Sequence, residues 1–335
     1  MALFGTVFGA APALAGVAAD HGVAPWSEAV ISVTDIPAAT VLLRGIGGWK
    51  RTDSGSVAAA ELAMWQVPPV ARARFERWCA PGATTGCMRF VRFSGVAQRP
   101  VRLAARAWDT GGIFSVMVRS DNLPALFDAA IKAGWWAESE PIRFTFGASD
   151  LKNVVLVGPH GFNIAVYERL SPPFTAFPVG RISQAFNAMH MMRDRKAARV
   201  FYEQVLGFDL VFDSNSEPKV PARSNFGVPF NYTTTVRRGA AALQPIKGET
   251  GRVELMQIEG FTGSDLSSHA SPPNLGILMV RYPVRDLAAY RAEVERRGAT
   301  IAYQAQTVPI AGLGRVSLFA VRDADGSLTE FYGKQ

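Results

Sequence analysis

The chain of 335 residues is 48% hydrophobic and 19% charged, with a formal net charge of +7. That is the balance of an ordinary globular protein with room for two domains and several cores. Its basic residues are scattered, with Arg237-Arg238 and Arg296-Arg297 only pairs, which argues against a nucleic-acid groove, and no apolar stretch reaches the length of a membrane span.

Met1 to Ala19 is small and apolar, and Ala13-Leu14-Ala15 has the look of a signal-peptidase site. The stretch lacks the positive flank of an export signal. It is expected to stay in the mature protein as a strand or packing arm, with export as the alternative. Ser27 to Asp35 reads as a strand and turn, and Pro37 to Arg44 as a helix that ends near Gly47-Gly48-Trp49. Cys79 and Cys87 show no Cys-x-x-Cys spacing and no zinc-finger partners. Reduced structural thiols in a cytoplasmic chain are the default, and a Cys79–Cys87 disulfide stays open.

Ile113 to Asp121 reads as a strand and Leu123 to Ala133 as a helix, with Leu126, Ala130 and Ala133 at helical spacing and Gly134 as its stop. Ile142–Phe146, Asn153–Val157 and Phe162–Tyr167 follow as strands. Leu170 to Pro178 holds three prolines and reads as a linker. Asn187 to Asp194 is again a strand and turn, followed by a helix that exits at Gly207. Ser214 to Asn231 is a long, polar, proline-rich loop, of the kind that often carries binding roles. Arg252–Ile258 and Gly276–Val280 read as strands. Asp286 to Arg297 reads as a helix stopped by Gly298. Val316–Val321 and Ser327–Tyr332 flank Asp323-Ala-Asp-Gly326, a strong hairpin signal.

One pattern has now appeared four times: a strand, a polar turn, a helix, then about three strands. Such a period decides the fold and must be read first. The expected class is α+β, with four βαβββ modules paired into two domains, residues 24–170 and 180–335. Asp194, Phe201-Tyr202, Leu206-Gly207-Phe208, Arg322-Asp-Ala-Asp-Gly326 and Glu330 carry a resemblance to the vicinal oxygen chelate superfamily. Its members include glyoxalase I, extradiol dioxygenases and bleomycin- or fosfomycin-resistance proteins. The resemblance implies half-open barrels around a small-molecule pocket, with divalent-metal ligands on the first and last strands of the modules.

At those positions the C-terminal half offers Asn187, Glu254, no ligand near Leu275-Gly276-Ile277, and Glu330. The N-terminal half offers Glu28, Arg89, Phe114 and Ala165. A guanidinium has no lone pair to give a metal, so Glu28 and Arg89 are expected to form an ion pair that bridges a degenerate site. Oxygen ligands alone suit a weakly held Mg²⁺, Mn²⁺ or Ca²⁺, and no metal or other cofactor is assigned outright. His190 is expected to face away from Asn187, and His160 to sit in a surface turn.

These residues suggest carboxylate chemistry in the C-terminal half. Glu330 and Glu254 are the acid/base candidates, with one pKa raised by burial and mutual repulsion. Asn187, Phe226, Phe230 and Asn231 are the substrate-binding candidates, the last three on the long loop. The expected activity is a lyase, isomerase or epimerase acting on a hydrophobic carbonyl or acyl compound. A non-catalytic binding or resistance protein, and a ring-cleaving dioxygenase with an atypical metal site, are the alternatives. Small molecules are the expected partners, with neither nucleic acid nor membrane, and the chain is expected to be a monomer or homodimer.

Overall fold

A computed structural model describes residues 16–102 and 104–335. The expectation for residues 1–15 of the N-terminal arm lies outside the described residues. Val17–Asp20 forms a single helical turn, and Ala18 is fully buried against Gly207.

Among the described residues, sixteen strands run through four modules. Module one holds β1 (Glu28–Ser32), β2 (Lys50–Ser56), β3 (Arg72–Cys79) and β4 (Cys87–Ser94). Module two holds β5 (Ile113–Arg119), β6 (Ile142–Phe146), β7 (Ser149–Val157) and β8 (Asn163–Ser171). Module three holds β9 (Asn187–Met191), β10 (Asp209–Ser216), β11 (Arg238–Gln244) and β12 (Arg252–Ile258). Module four holds β13 (Gly276–Pro283), β14 (Ile301–Ile310), β15 (Gly314–Arg322) and β16 (Leu328–Lys334).

The turn after each module's first strand is built the same way. Asp35, Asn122, Asp194 and Asp286 each accept a hydrogen bond from a backbone N–H of the helix that follows. That satisfies a donor which the first helical turn would otherwise leave unpaired. At the other end of module four, Gly326 takes φ +83°, and a Cβ there would approach Ser267 to 2.8 Å. A side chain would be strained at that turn.

The modules do not pair as the halves 24–170 and 180–335. One eight-stranded sheet has the order β14-β15-β16-β13-β1-β4-β3-β2, and the other β10-β11-β12-β9-β5-β8-β7-β6. Module one therefore closes with module four, and module two with module three. In each sheet the two first strands meet antiparallel, β1 with β13 and β5 with β9. Modules adjacent in sequence instead pack back to back. Phe90 meets Phe162 at 5.4 Å between ring centroids, and Phe208 meets Tyr282 at 5.5 Å. Tyr282 donates to the Gly251 carbonyl at 3.0 Å, and Tyr290 to the Leu206 carbonyl at 2.8 Å. The largest core lies on this shared face, with Trp26, Tyr202 and Phe331 wholly buried in it.

His190 lies on that face, away from Asn187, as alternation along β9 requires. Its Nδ1 is 3.5 Å from Asp323 Oδ2, and Tyr202 donates to the same oxygen at 2.9 Å. Tyr202→Phe should lower stability by about 1–3 kcal/mol, because the Asp323 carboxylate loses a buried donor. An unchanged urea midpoint would show that this link between modules three and four adds nothing.

Cys79 and Cys87 are joined as a disulfide, in place of the reduced thiols taken as the default. The β3–β4 register pairs Trp78 with Met88, which sets the next pair, Cys79 and Cys87, opposite each other. Among the described residues no helix is long and apolar enough to cross a membrane.

Candidate functional site

Side chains alternate across each sheet, so the concave face of each cup can be read from the register. In the one–four cup, Glu28 pairs with Arg281, Arg281 with Glu330, and Val30 with Arg89. The corresponding pairs in the two–three cup are Asn187 with Met117, Met117 with Ala165, and Met189 with Glu254. The same four places thus hold Glu28, Arg89, Arg281 and Glu330 in one cup. In the other they hold Asn187, Glu254, Met117 and Ala165.

In the one–four cup these places form a buried ion network. Arg89 Nε donates to Glu28 Oε1 at 2.7 Å, as expected of that pair, and Arg77 Nε donates to Glu28 Oε2 at 2.7 Å. Arg281 stands between three carboxylates. It donates to Glu28 at 3.1 Å, to Glu61 at 2.7 Å, and through Nε to Glu330. Trp65 Nε1 and the Tyr303 hydroxyl donate to Glu330 Oε1 at 2.9 and 2.6 Å. Glu61 lies on the short helix Ala59–Met64, which packs into the cup against β14, and Trp65 follows it directly. Burial alone would raise the Glu28 carboxyl, but Arg89, Arg281 and Arg77 outweigh burial and hold it at about 2. Glu61 faces mainly Arg281, and burial keeps its pKa above the usual carboxylate value.

Glu330 is therefore interior, but it sits in the other cup from Glu254. The two acids do not share a pocket and cannot repel one another. Asn187, Glu254 and Glu330 each stand on a concave face, but they do not group into one C-terminal site, because β16 pairs into the sheet of module one. Arg281 was missed. The first strand of module four, which the sequence bounds at Val280, continues to Pro283. The run Met279-Val-Arg-Tyr282 carries the alternation that places Arg281 on the concave face.

The two–three cup is lined by apolar side chains, among them Phe114, Met117, Val155, Ala165, Phe186, Met189 and Met256. Glu254 stands on this face, buried, and Asn187 Nδ2 donates to its Oε2 at 3.5 Å. Burial pushes the Glu254 carboxyl up to about 7, with Asn187 and then Arg252 holding it from rising further. Tyr167, on the same face, is raised well above its ordinary value by burial and then by Glu254. It stays a neutral hydroxyl.

The loop between β10 and β11 crosses this cup to module two, as a cap should. Phe226 is buried against Phe114 at 6.2 Å between centroids. Asn225 Nδ2 donates to Asn153 Oδ1, and Arg223 pairs with Glu140. Phe230 and Asn231 do not enter the cup. They start the short turn Phe230–Tyr232, and Phe230 is 60% exposed. Both are exposed and stand off the concave face on which they were expected.

Four buried polar atoms on or over the concave face lack a partner among the described residues. They are Ser115 Oγ, Asn163 Oδ1, Asn187 Oδ1 and Asn225 Oδ1. The last is fixed by its neighbours. Asn153 Nδ2 donates to the Val166 carbonyl at 2.8 Å, so Asn153 Oδ1 must accept from Asn225 and leaves the Asn225 oxygen unused. Ser115 pairs with Asn163 and with Met189, and Met189 with Glu254, so these residues form one row across four strands. Buried polar atoms are normally satisfied. Two unsatisfied ones in the row of a carboxyl of raised pKa, with those of Asn187 and Asn225 beside it, make this face the candidate site.

Neither cup fits the divalent metal that the fold resemblance implies. Guanidinium groups fill the one–four position, and the two–three position offers one carboxylate and one amide. The set Asn187, Glu254 and Glu330 is split between cups. Among the described residues no three His, Cys, Asp or Glu side chains are placed to hold an ion.

Comparison with known proteins agrees with the fold. Residues 188–331 match the family model of the glyoxalase/bleomycin resistance protein/dioxygenase superfamily. Glyoxalase I from Zea mays superposes with a TM-score of 0.60 at 15% identity, covering 92% of this chain and 92% of that one. A putative dioxygenase from Bacillus subtilis superposes with a TM-score of 0.56 at 11% identity, covering 93% of this chain and 85% of that one. No curated protein matches the sequence. Modules three and four are therefore similar to the glyoxalase/bleomycin resistance protein/dioxygenase superfamily, and the whole chain shares the four-module fold of glyoxalase I.

Proposed function

We propose that the protein is a small-molecule enzyme that moves a proton at a carbon next to a carbonyl, with Glu254 as the acid/base and its site in the two–three cup. The observation that carries this reading is the Glu254 carboxyl, buried among apolar side chains with its pKa pushed up to about 7. Near neutral pH such a group is present in both forms, so it can accept a proton and return it. Removal breaks the C–H bond and sends its electron pair to the carbonyl oxygen, and Glu254 gains the proton. Return of that proton to either face or to the neighbouring atom gives an epimerase or isomerase. Loss of a β-substituent gives a lyase. Tyr167, held neutral, supplies a donor for the developing oxyanion. Asn187 orients the carboxyl. Glu330 has no place in this reaction, since its oxygens are taken by Arg281, Trp65 and Tyr303.

The reading is tested by proton exchange in D₂O. Aryl- and alkyl-substituted keto acids, hydroxy ketones and acyl thioesters are followed by ¹H NMR. Loss of an α-proton signal is expected with the wild type and not with Glu254→Gln. Exchange that Glu254→Gln leaves intact removes Glu254 from the reaction. Binding without exchange in the wild type points to a sequestering protein instead.

A further inference from the structure

One end of the same cup carries more cationic groups than the protein neutralises. Arg119 lies on β5, two residues beyond Met117, and pairs in register with Tyr167 of β8, and Arg169 follows two residues later. The Arg119 guanidinium is held between two rings, its Cζ 4.1 Å from the Phe174 centroid and 4.4 Å from that of Phe186. Arg169 Cζ is 5.4 Å from the same Phe174 ring. The Arg119 residue is only 7% exposed. Nε of Arg119 and Nε of Arg169 are both buried without a partner among the described residues. The nearest carboxylate is Glu249, 3.7 Å from Arg119 Nη2 and 39% exposed, and Arg252 shares it at 3.3 Å. Arg119 and Arg252 thus share one half-solvated acid, and Arg169 adds a third positive charge beside Arg119.

Burial and then Arg169 lower the Arg119 pKa to about 10, which still leaves it charged at neutral pH. A buried charge with unused donors is costly unless something pairs with it. Arginine's planar fork suits a carboxylate or a phosphate. Tyr167 senses both Glu254 and Arg119, so the cationic end and the Glu254 carboxyl lie on one concave face. The row of Arg119 lies four residues along β5 from the row of Ser115 and Glu254, about 13 Å between backbones. The two side chains shorten that span to the length of a ring or a short alkyl chain.

We infer that the ligand of the two–three cup is an amphiphilic anion, an aromatic or short aliphatic body with a carboxylate or phosphate head, and that Arg119 and Arg169 hold the head. This rests on the ligand site proposed above and adds the chemical class of what enters it.

The test is calorimetric titration of the purified protein with phenylacetate, phenyl phosphate and the neutral isostere phenylacetamide. At least one anion should bind more than tenfold tighter than the amide and weaken as sodium chloride is raised. Arg119→Gln and Arg169→Gln should each lower anion affinity at least tenfold and leave the amide unchanged. Arg169 is only half-buried, so that variant keeps the test open if Arg119→Gln folds poorly. Equal binding of anion and amide, no binding of either anion, or unchanged affinity in the folded variants overturns the inference. Anion binding without proton exchange would sink the proposed reaction alone. Exchange on a substrate without anion preference would sink this inference alone.

Discussion

Arg281→Ala should destabilise the protein by about 3–5 kcal/mol, the range for removing one partner of a buried ion pair. The loss follows from what remains. Glu28, Glu61 and Glu330 all donate nothing and all face Arg281. Without it, Glu61 keeps no guanidinium bonded to it, and Glu330 keeps only Trp65 and Tyr303. Glu330→Gln should cost less, since Arg281 retains two carboxylates. Replacing Arg281 with Met together with Glu61→Gln and Glu330→Gln should recover part of the loss, because Glu28 keeps Arg89 and Arg77 and no uncompensated charge is then left behind. Urea unfolding curves measure each step. An Arg281→Ala protein within about 1 kcal/mol of the wild type would show that the network is not a brace. Acid should mimic the lesion. The Glu28 pKa is depressed from 4.5 to about 2 on folding. Its stabilisation is therefore complete above pH 4.5 and disappears as the pH falls towards 2.

Glu254→Gln should lower proton exchange by about 10²–10⁴-fold, the usual worth of a positioned acid/base. The same substitution should make the protein more stable in alkali. Folding raises the Glu254 pKa from 4.5 to about 7. The sign is opposite to that of Glu28. Stability linked to its neutral form is present below pH 4.5 and is lost as the pH rises to 7. At about 1.4 kcal/mol for each unit of pKa, the native state gives up about 3 kcal/mol by pH 8. Gln cannot ionise, so the variant should gain up to that amount at pH 8 and little at pH 4. Thermal unfolding at both pH values reads the difference. If wild type and variant lose stability in parallel between pH 5 and 8, the acid is not buried as described. A residue that harms stability yet is needed for turnover is the pattern expected of a working site.

The individual elements were legible in the sequence because their signals are local. Asp194 and Gly207 bracket one helix, and Ile142–Phe146 forms a strand with those same bounds. Asn187 and Glu254 could be grouped because β9 and β12 belong to one module and pair directly. The ion pair of Glu28 with Arg89 was readable for the same reason, through β1 and β4. Module pairing was not legible. Every module presents the same kind of first strand, so nothing local tells β13 to join β1 instead of β5. Arg281 is separated from Glu28 by 253 positions. The bulge between Val30 and Ile31 also shifts the register of β1 against β13, which a strict alternation count misses. Phe226 is buried against Phe114, but the helical turn at Phe230 carries the next aromatics outward, which the composition of the loop does not reveal.

The exchange of partners among the modules has a consequence for cutting the chain. A nick in the exposed segment between β8 and β9 would leave two fragments, neither holding a complete cup. Each fragment would keep its back-to-back core but expose the antiparallel edges of two first strands. The fragments should therefore stay clasped after cleavage, and when made separately should reconstitute one another as a split protein.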